Sequence, residues 1–387
     1  MASGYQILLG GQPADADLMT LMVSLDVDES MDLPGAVQLE VPLSRTPDGE
    51  YTYLNDPRFA PLASVAVVAT VDGDIADPLG GMFGAGTVSQ CIFDGYVLSH
   101  KVHLETGATR SMLTVWGQDA SWLMNLQEKT REWVDLTDAD VAAAIFNEYG
   151  VVPAADIFDE DSPAHTEAGH SLMQRGSDIQ FLRTLARRNG KLCRIFCDES
   201  PDIRIGWFAA PNLNGAPQVR LVLNDPDNWN VAAIDLEWDA TRPTGVLARQ
   251  ALFTDPDPDA GVGDTNESGL PLLGDLSLED FTGAPMVVVL AAPVDDAGEL
   301  SMRAQAVLRE ADWFVRCIGE ADVERLGAVL RAGMLVSLEG VGQVHSGAYL
   351  VWSVRHRITR QAHTMKFTLV RNAVGAPPLG VGLPGGL

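Results

Sequence analysis

Residues 331–372 read RAGMLVSLEGVGQVHSGAYLVWSVRHRITRQAHTMKFTLVRN, and this stretch decides the fold. Leu335 to Glu339 is a short run of β-formers. Gly340, Gly342 and Gly347 follow it as turn residues, and from Tyr349 onward the side chains alternate. Successive strand side chains point to opposite sides, so the alternation puts Leu350, Trp352, Val354, His356 and Ile358 on one face. Tyr349, Ser353, Arg355, Arg357 and Thr359 take the other. After a four-residue connection Met365, Phe367 and Leu369 repeat the apolar face, with Lys366 and Thr368 turned away. Three strands of one antiparallel sheet are expected, the last two forming a hairpin.

Working outward, residues 1–117 read as a first β domain. Leu21, Val23, Leu25 and Val27 alternate, as do Val37, Leu39 and Val41, between Pro and Gly turns. Val65 to Val71 is almost continuously apolar, as in a strand buried on both faces, and Gln90–Leu104 and Arg110–Trp116 add two more. No long helical period interrupts them, so a small barrel or sandwich is expected.

From residue 118 to 210 the pattern becomes α+β. Thr137 and Asp140 form a capping box ahead of an apolar stripe of Val141, Ala144, Ile145 and Tyr149, which Gly150 ends. Ser177 and Gln180 repeat the capping pattern before Ile179, Leu182, Leu185 and Ala186. Residues 211–375 read as a second β region. It includes an acidic loop at 254–297, of which 254–285 is expected to be mobile or held only by a partner because Asp and Pro dominate its start. A helix at 298–315 follows, with Leu300, Ala304, Val307, Leu308 and Ala311 on its apolar face. Residues 376–387, APPLGVGLPGGL, read as a flexible tail.

The formal net charge of −27 argues against nucleic acid as a specific partner, since a polyanion would be repelled. Residues 251–300 carry eleven acidic groups and no Lys or Arg, whereas 331–372 carry one acid against six bases. High solubility accounts for this acidity; a sharper alternative is a negative channel wall past which DNA or acidic cargo slides. No apolar run approaches the roughly 20 residues needed to span a bilayer, and the start of the chain lacks a basic leader, so a protein made in the cytoplasm with no membrane partner is expected. Cys91, Cys193, Cys197 and Cys317 are too few for a disulfide framework and read as buried thiols rather than a redox or metal pair.

The chemistry-bearing residues point away from catalysis. His100 and His103 are three apart on a strand and face opposite sides. His165 and His170 sit in DEDSPAHTEAGH, where Asp159, Glu160 or Asp161 could join them on a cation, although carboxylate-rich loops usually face water. His356, on an apolar face, reads as a hydrogen-bonded core histidine. The sequence contains no HExxH, GxSxG, Walker or GxGxxG phosphate motif, and Gly80 to Gly86 reads as a loop. Catalytic residues, metal ligands and cofactors are therefore all expected to be none.

Three segments together resemble one family. In the C-terminal stretch the matching residues are Ala332-Gly333, Val336, Leu338, Gly340-Val341-Gly342, Ser346-Gly347-Ala348-Tyr349, Val354, His356 and Phe367. Met173 to Leu182, with Gly176, Asp178, Phe181 and Leu182, forms the second segment. Phe93 to Val97, with Gly95, and Leu113 to Asp119 form the third. The pattern resembles the baseplate hub proteins of contractile injection systems: the late control gene D proteins of contractile phages and the hub part of the type VI VgrG spike family. The resemblance implies a mainly β fold with an α+β insert: two tube-protein-like β-barrel domains plus a small α/β domain. It implies a homotrimer that joins an inner tube protein to a spike protein among other baseplate proteins, in a phage virion or phage-tail-like injection particle. A particle-borne cell-wall hydrolase or other secreted enzyme, and a monomeric sugar- or peptide-binding β protein, are the alternatives.

Overall fold

The computed structural model describes residues 3–73, 86–106, 110–160, 162–167, 171–197, 199–252, 255, 257, 260–294 and 296–375. The glycine-rich run before Gly86, Asp161, His170 and the tail 376–387 lie outside the described residues. The chain is mainly β. Its first region holds β1 (Ser3–Leu9), β2 (Gln12–Pro13), α1 (Ala16–Leu21), β3 (Ser24–Ser30), β4 (Ala36–Pro42), β5 (Ser64–Gly73), β6 (Gly86–His103) and β7 (Met112–Asp119). Val37, Leu39 and Val41 of β4 are buried with the two-residue strand period, whereas in β5 Ala66 and Val68 are buried along with Val65, Val67, Ala69 and Val71, so that strand is covered on both faces. The alternation at Leu21 and Val23 is not a strand. Asp15 accepts a hydrogen bond from the Leu18 N–H at 2.7 Å and caps α1, leaving Leu21 and Val23 exposed.

The insert has its own core, in which Ile145, Phe146, Ile179, Leu182, Leu185 and Phe208 are buried together. Its strands are β8 (Glu128–Trp133), β9 (Val152–Pro153), β10 (Leu172–Ser177), β11 (Leu192–Cys197) and β12 (Arg204–Ala209), packed with α2 (Asp138–Glu148) and α3 (Asp178–Arg188). The Thr137–Asp140 capping box forms on α2. The expected second box on α3 does not, because the Ser177 hydroxyl donates to Asn125 Oδ1 at 2.6 Å instead.

The remaining elements are β13 (Val219–Val222), β14 (Val231–Trp238), β15 (Gly245–Ala248), α4 (Leu278–Thr282), β16 (Val287–Leu290), α5 (Ala297–Ala311), β17 (Val315–Asp322), α6 (Val323–Leu326), β18 (Leu335–Glu339), β19 (Gly347–Ile358) and β20 (His363–Arg371). The helix placed at 298–315 therefore ends four residues earlier, capped by Asp296 and Asp312. Of the segment 254–285, the described stretch 260–285 is held by the chain itself. Leu273 and Leu278 are buried, and Arg371 donates to the Leu273 carbonyl from Nε at 3.2 Å and Nη2 at 2.8 Å. The acid- and proline-rich start of the segment hides these two anchors.

A single 13-stranded sheet runs β14-β17-β20-β19-β3-β4-β7-β6-β5-β1-β2, with β18 on β19 and β13 on β18. Within it only β13–β18 is parallel. The two β regions meet where β3 pairs antiparallel with β19, Ser30 opposite Ser353 and Leu25 opposite Ile358. The first half of β19 pairs with β18 and the second half with β3. A bulge at Trp352 marks the switch. An extra residue reverses strand parity, so Tyr349 and Val351 share the main core with Val354 and Ile358, while Leu350 and Trp352 pack on the opposite side with Trp313 and Val370. The uninterrupted alternation expected there fails for that reason. Both β regions share that one core.

Candidate functional site

Where the insert meets the sheet, charges are buried in pairs. Glu29 follows Leu25 and Val27 in parity and so points inward. Arg331 donates to it from Nε at 2.8 Å and Nη2 at 3.1 Å, and from Nη2 to the Cys197 carbonyl at 2.7 Å. Arg194 donates to the Ala332 carbonyl at 2.9 Å and lies 3.5 Å from Glu29. Burial pulls the Arg194 guanidinium down to about 10, whereas Glu29 overrides burial at Arg331 and raises it. Gly333, with φ +91°, lies against Arg194 and Met31. A second pair joins Arg204 of β12 to Asp94 of β6 at 2.9 Å, with Arg204 Nη1 donating to the Tyr96 hydroxyl at 2.7 Å. Beside it a Cβ on Gly95 would overlap the Gln118 carbonyl, so the two strands approach at a distance only glycine permits. Asp119 accepts from the Gly35 N–H at 2.5 Å and the Ser121 N–H at 2.9 Å, and burial raises its carboxyl above the usual range.

Inside the insert, Asp178 receives Lys129 Nζ, the Tyr149 hydroxyl and Gln174 Nε2, each at 2.6 Å. Burial pushes its carboxyl up, but these donors outweigh burial and hold it below the usual range. Gly176 precedes it at φ +108°, and Phe181 and Leu182 are core residues of the insert. In the C-terminal strands the buried Tyr349 donates to the His345 carbonyl at 2.7 Å and lies under the Arg371 guanidinium, which Gly347 also faces. A Cβ on Gly340 would overlap the Leu223 carbonyl, while one on Gly342 meets nothing. His356 is fully buried, with Nδ1 3.1 Å from Nε2 of His363. The twelve positions that carry the resemblance thus fall into three groups: the sheet–insert junction, the insert network and the C-terminal strands and turns.

His165 pairs not with its neighbouring acids but with Asp138, Nε2 to Oδ1 at 2.7 Å, and Arg188 Nη2 reaches the same carboxylate at 2.9 Å. Burial opposes ionisation of Asp138, yet His165, Arg188 and Asn189 hold its carboxyl below the usual range. Glu160 is bound instead by Arg309 at 2.7 Å. Among the described residues no three ligand side chains are grouped for a metal ion, and none of the described helices is long and apolar enough to cross a membrane. Sequence reading missed Glu29 and Asp138; the signal for Glu29 was its parity with Leu25 and Val27.

Two outer surfaces stand out. Across the joined strands β4, β3, β19, β20 and β17, Arg355 lies 3.2 Å from Asp28 and 3.8 Å from Asp26, with Glu40, Glu320 and Lys366 around them. In the second region, β15 and β16 form a separate parallel ribbon whose inner side chains pack on α5.

Solved structures share this architecture. A 43 kDa tail protein of the Shewanella oneidensis prophage MuSo2 matches with a TM-score of 0.64 at 14% identity, over 96% of this chain and 100% of its own. A tail protein of Neisseria meningitidis matches at 0.63 and 14%, over 97% and 100%. An Escherichia coli component of the type VI secretion system, described as structurally similar to phage T4 tail proteins, matches at 0.51 and 12%, over 93% and 77%. The fold is that of phage tail proteins. By sequence, the Alg8 N-terminal domain family matches residues 82–360, more than half of the chain, and the chain belongs to that family. No curated protein matches the sequence significantly.

Proposed function

We propose that this chain is the baseplate hub of a contractile injection machine, a homotrimer that adapts a hexameric inner tube to a trimeric spike and contacts other baseplate proteins. The observation that carries the reading is the β3–β19 pairing. It fuses two β regions, 1–117 and 211–375, into one sheet around one core, so a single chain presents two strand sets side by side. Three such chains would offer six sets to a sixfold tube and three chains to a threefold spike. The full-length fold match to tail proteins supports the same reading. The hub acts by assembly rather than turnover, is put together in the bacterial cytoplasm, and lines part of the channel.

The test is solution mass by light scattering, on the chain alone and then mixed with candidate tube and spike proteins. Three chain masses, alone or on adding the spike, are expected. A monomer indifferent to both partners rejects the hub, and the Asp138–His165 cleft would then be screened for hydrolase activity.

A further inference from the structure

We infer that the cavity where the insert, β6 and the entry to β18 meet binds a carboxylate carried next to an amide N–H, the group that an acidic residue or the C-terminus of a peptide presents. The cavity measures about 530 Å3, within the range of about 300–1,000 Å3 usual for ligand pockets. Exposed Val152, Asn212 and Gln218 stand at its mouth, and the buried Arg194 and Trp207 line its interior.

Arg194 is only 7% exposed. Its guanidinium carbon lies over the Phe196 ring, 4.4 Å from the centroid, and 5.6 Å from that of Trp207. The rings cover its face but give its in-plane N–H groups no acceptor. Nη2 donates to the Ala332 carbonyl, whereas Nε and Nη1 have no hydrogen-bond partner. Glu29 is already held by Arg331 through Nε and Nη2, and Arg194 Nη1 stands 3.5 Å from it without bonding. One glutamate thus serves two buried guanidiniums. Burial, joined by the like charge of Arg331, outweighs Glu29 and Asp119 and pulls Arg194 down to about 10.

A buried cation with unmet donors is costly, and an anion entering the cavity removes that cost. The second orphan fixes what accompanies the anion. Gln90 Oε1, on the same wall, is buried without a partner and can only accept. A bare carboxylate would leave it unmet; a carboxylate with an N–H beside it meets both. Asp156, the other carboxylate on the wall, accepts from Trp207 Nε1 at 2.9 Å.

The probes are acetylglycine, which carries a terminal carboxylate, and acetylglutamate amide, which carries it on a side chain; the tighter of the two identifies the source. Acetylglycinamide is the uncharged counterpart, acetate lacks the N–H, and inorganic phosphate is the competing anion, all at one ionic strength. A ligand that binds only the folded chain raises its melting temperature, by about 2 °C at roughly ten times the dissociation constant for a chain of this length. One or both acids should do so, acetylglycinamide and phosphate should not, and acetate should bind about fivefold more weakly than acetylglycine. Arg194→Met should abolish the shift. Gln90→Leu, which leaves every ion pair in place, should bring acetylglycine down to the level of acetate. No shift with either acid, or equal shifts with the uncharged amide or with phosphate, would mean that water or any anion meets these donors, and overturns the site. So does a Gln90→Leu chain that keeps its full preference for acetylglycine over acetate, whether or not Arg194→Met folds.

Discussion

Arg331 and Glu29, 302 positions apart in sequence, form a buried two-pronged ion pair at 2.8 and 3.1 Å. The pair ties the entry to β18 to the inward face of β3, and through the Cys197 carbonyl it reaches β11 of the insert. Three segments far apart in the chain therefore close on one guanidinium. Removing one partner leaves the other buried and uncompensated, which typically costs about 3–5 kcal/mol. Arg331→Met should lower stability by that order in a urea titration, and Glu29→Leu combined with Arg331→Met should recover part of the loss. A double variant that loses as much as the two singles added together would show that the two side chains do not act as a pair.

Gly340 and Gly342 share a left-handed backbone, at φ +81° and +87°, but not the same surroundings. A Cβ on Gly340 would run into the Leu223 carbonyl, and one on Gly342 would meet open space. Gly342→Ala should cost only the backbone term, about 1 kcal/mol. Gly340→Ala adds a steric clash with backbone and should cost roughly 3 kcal/mol or more. Thermal melts of the two variants side by side separate the effects, and equal losses would rule out the close approach of Leu223.

Local signals were legible in the sequence, and contacts across it were not. The burial period of β4, the continuous apolar run of β5 and the Thr137–Asp140 cap are set by residues within a turn or two of each other, so the local sequence alone reveals them. The β3–β19 pairing joins segments more than 320 residues apart, and nothing in either strand names the other. Trp352 shows the limit inside one strand: its bulge depends on β19 changing partner from β18 to β3, which sequence alternation cannot register. The charged residues at the sheet–insert junction look like ordinary surface charges until the fold brings their partners alongside.

All four cysteines are buried free thiols. Burial pushes the Cys193 and Cys317 thiols up to about 12, so almost no thiolate forms near neutral pH. The folded chain should react with an aromatic disulfide reagent far more slowly than the chain in guanidinium chloride, where all four thiols titrate. Adding a reductant should leave the melting temperature unchanged. Fast reaction of one thiol under native conditions would mean that its site opens.

His356 and His363 are buried side by side, and burial sets both titrations: it pushes His363 down to about 4 and, with His363 and Arg331 nearby, lowers His356 further from its ordinary value. Asp322 is the one carboxylate that draws His363 the other way. Both histidines are neutral in the fold and take up protons when it opens. The unfolded chain therefore binds more protons below the ordinary histidine value of 6.5, and stability falls as pH drops from there to about 4. For His363 the full loss is about 3 kcal/mol. Many carboxylates titrate in the lower half of this window, so the informative quantity is the difference between wild type and His363→Asn. The wild type's advantage should shrink by about that amount between pH 7 and pH 4 in urea titrations. A difference that stays constant across the range would show that His363 is protonated as easily in the fold as outside it.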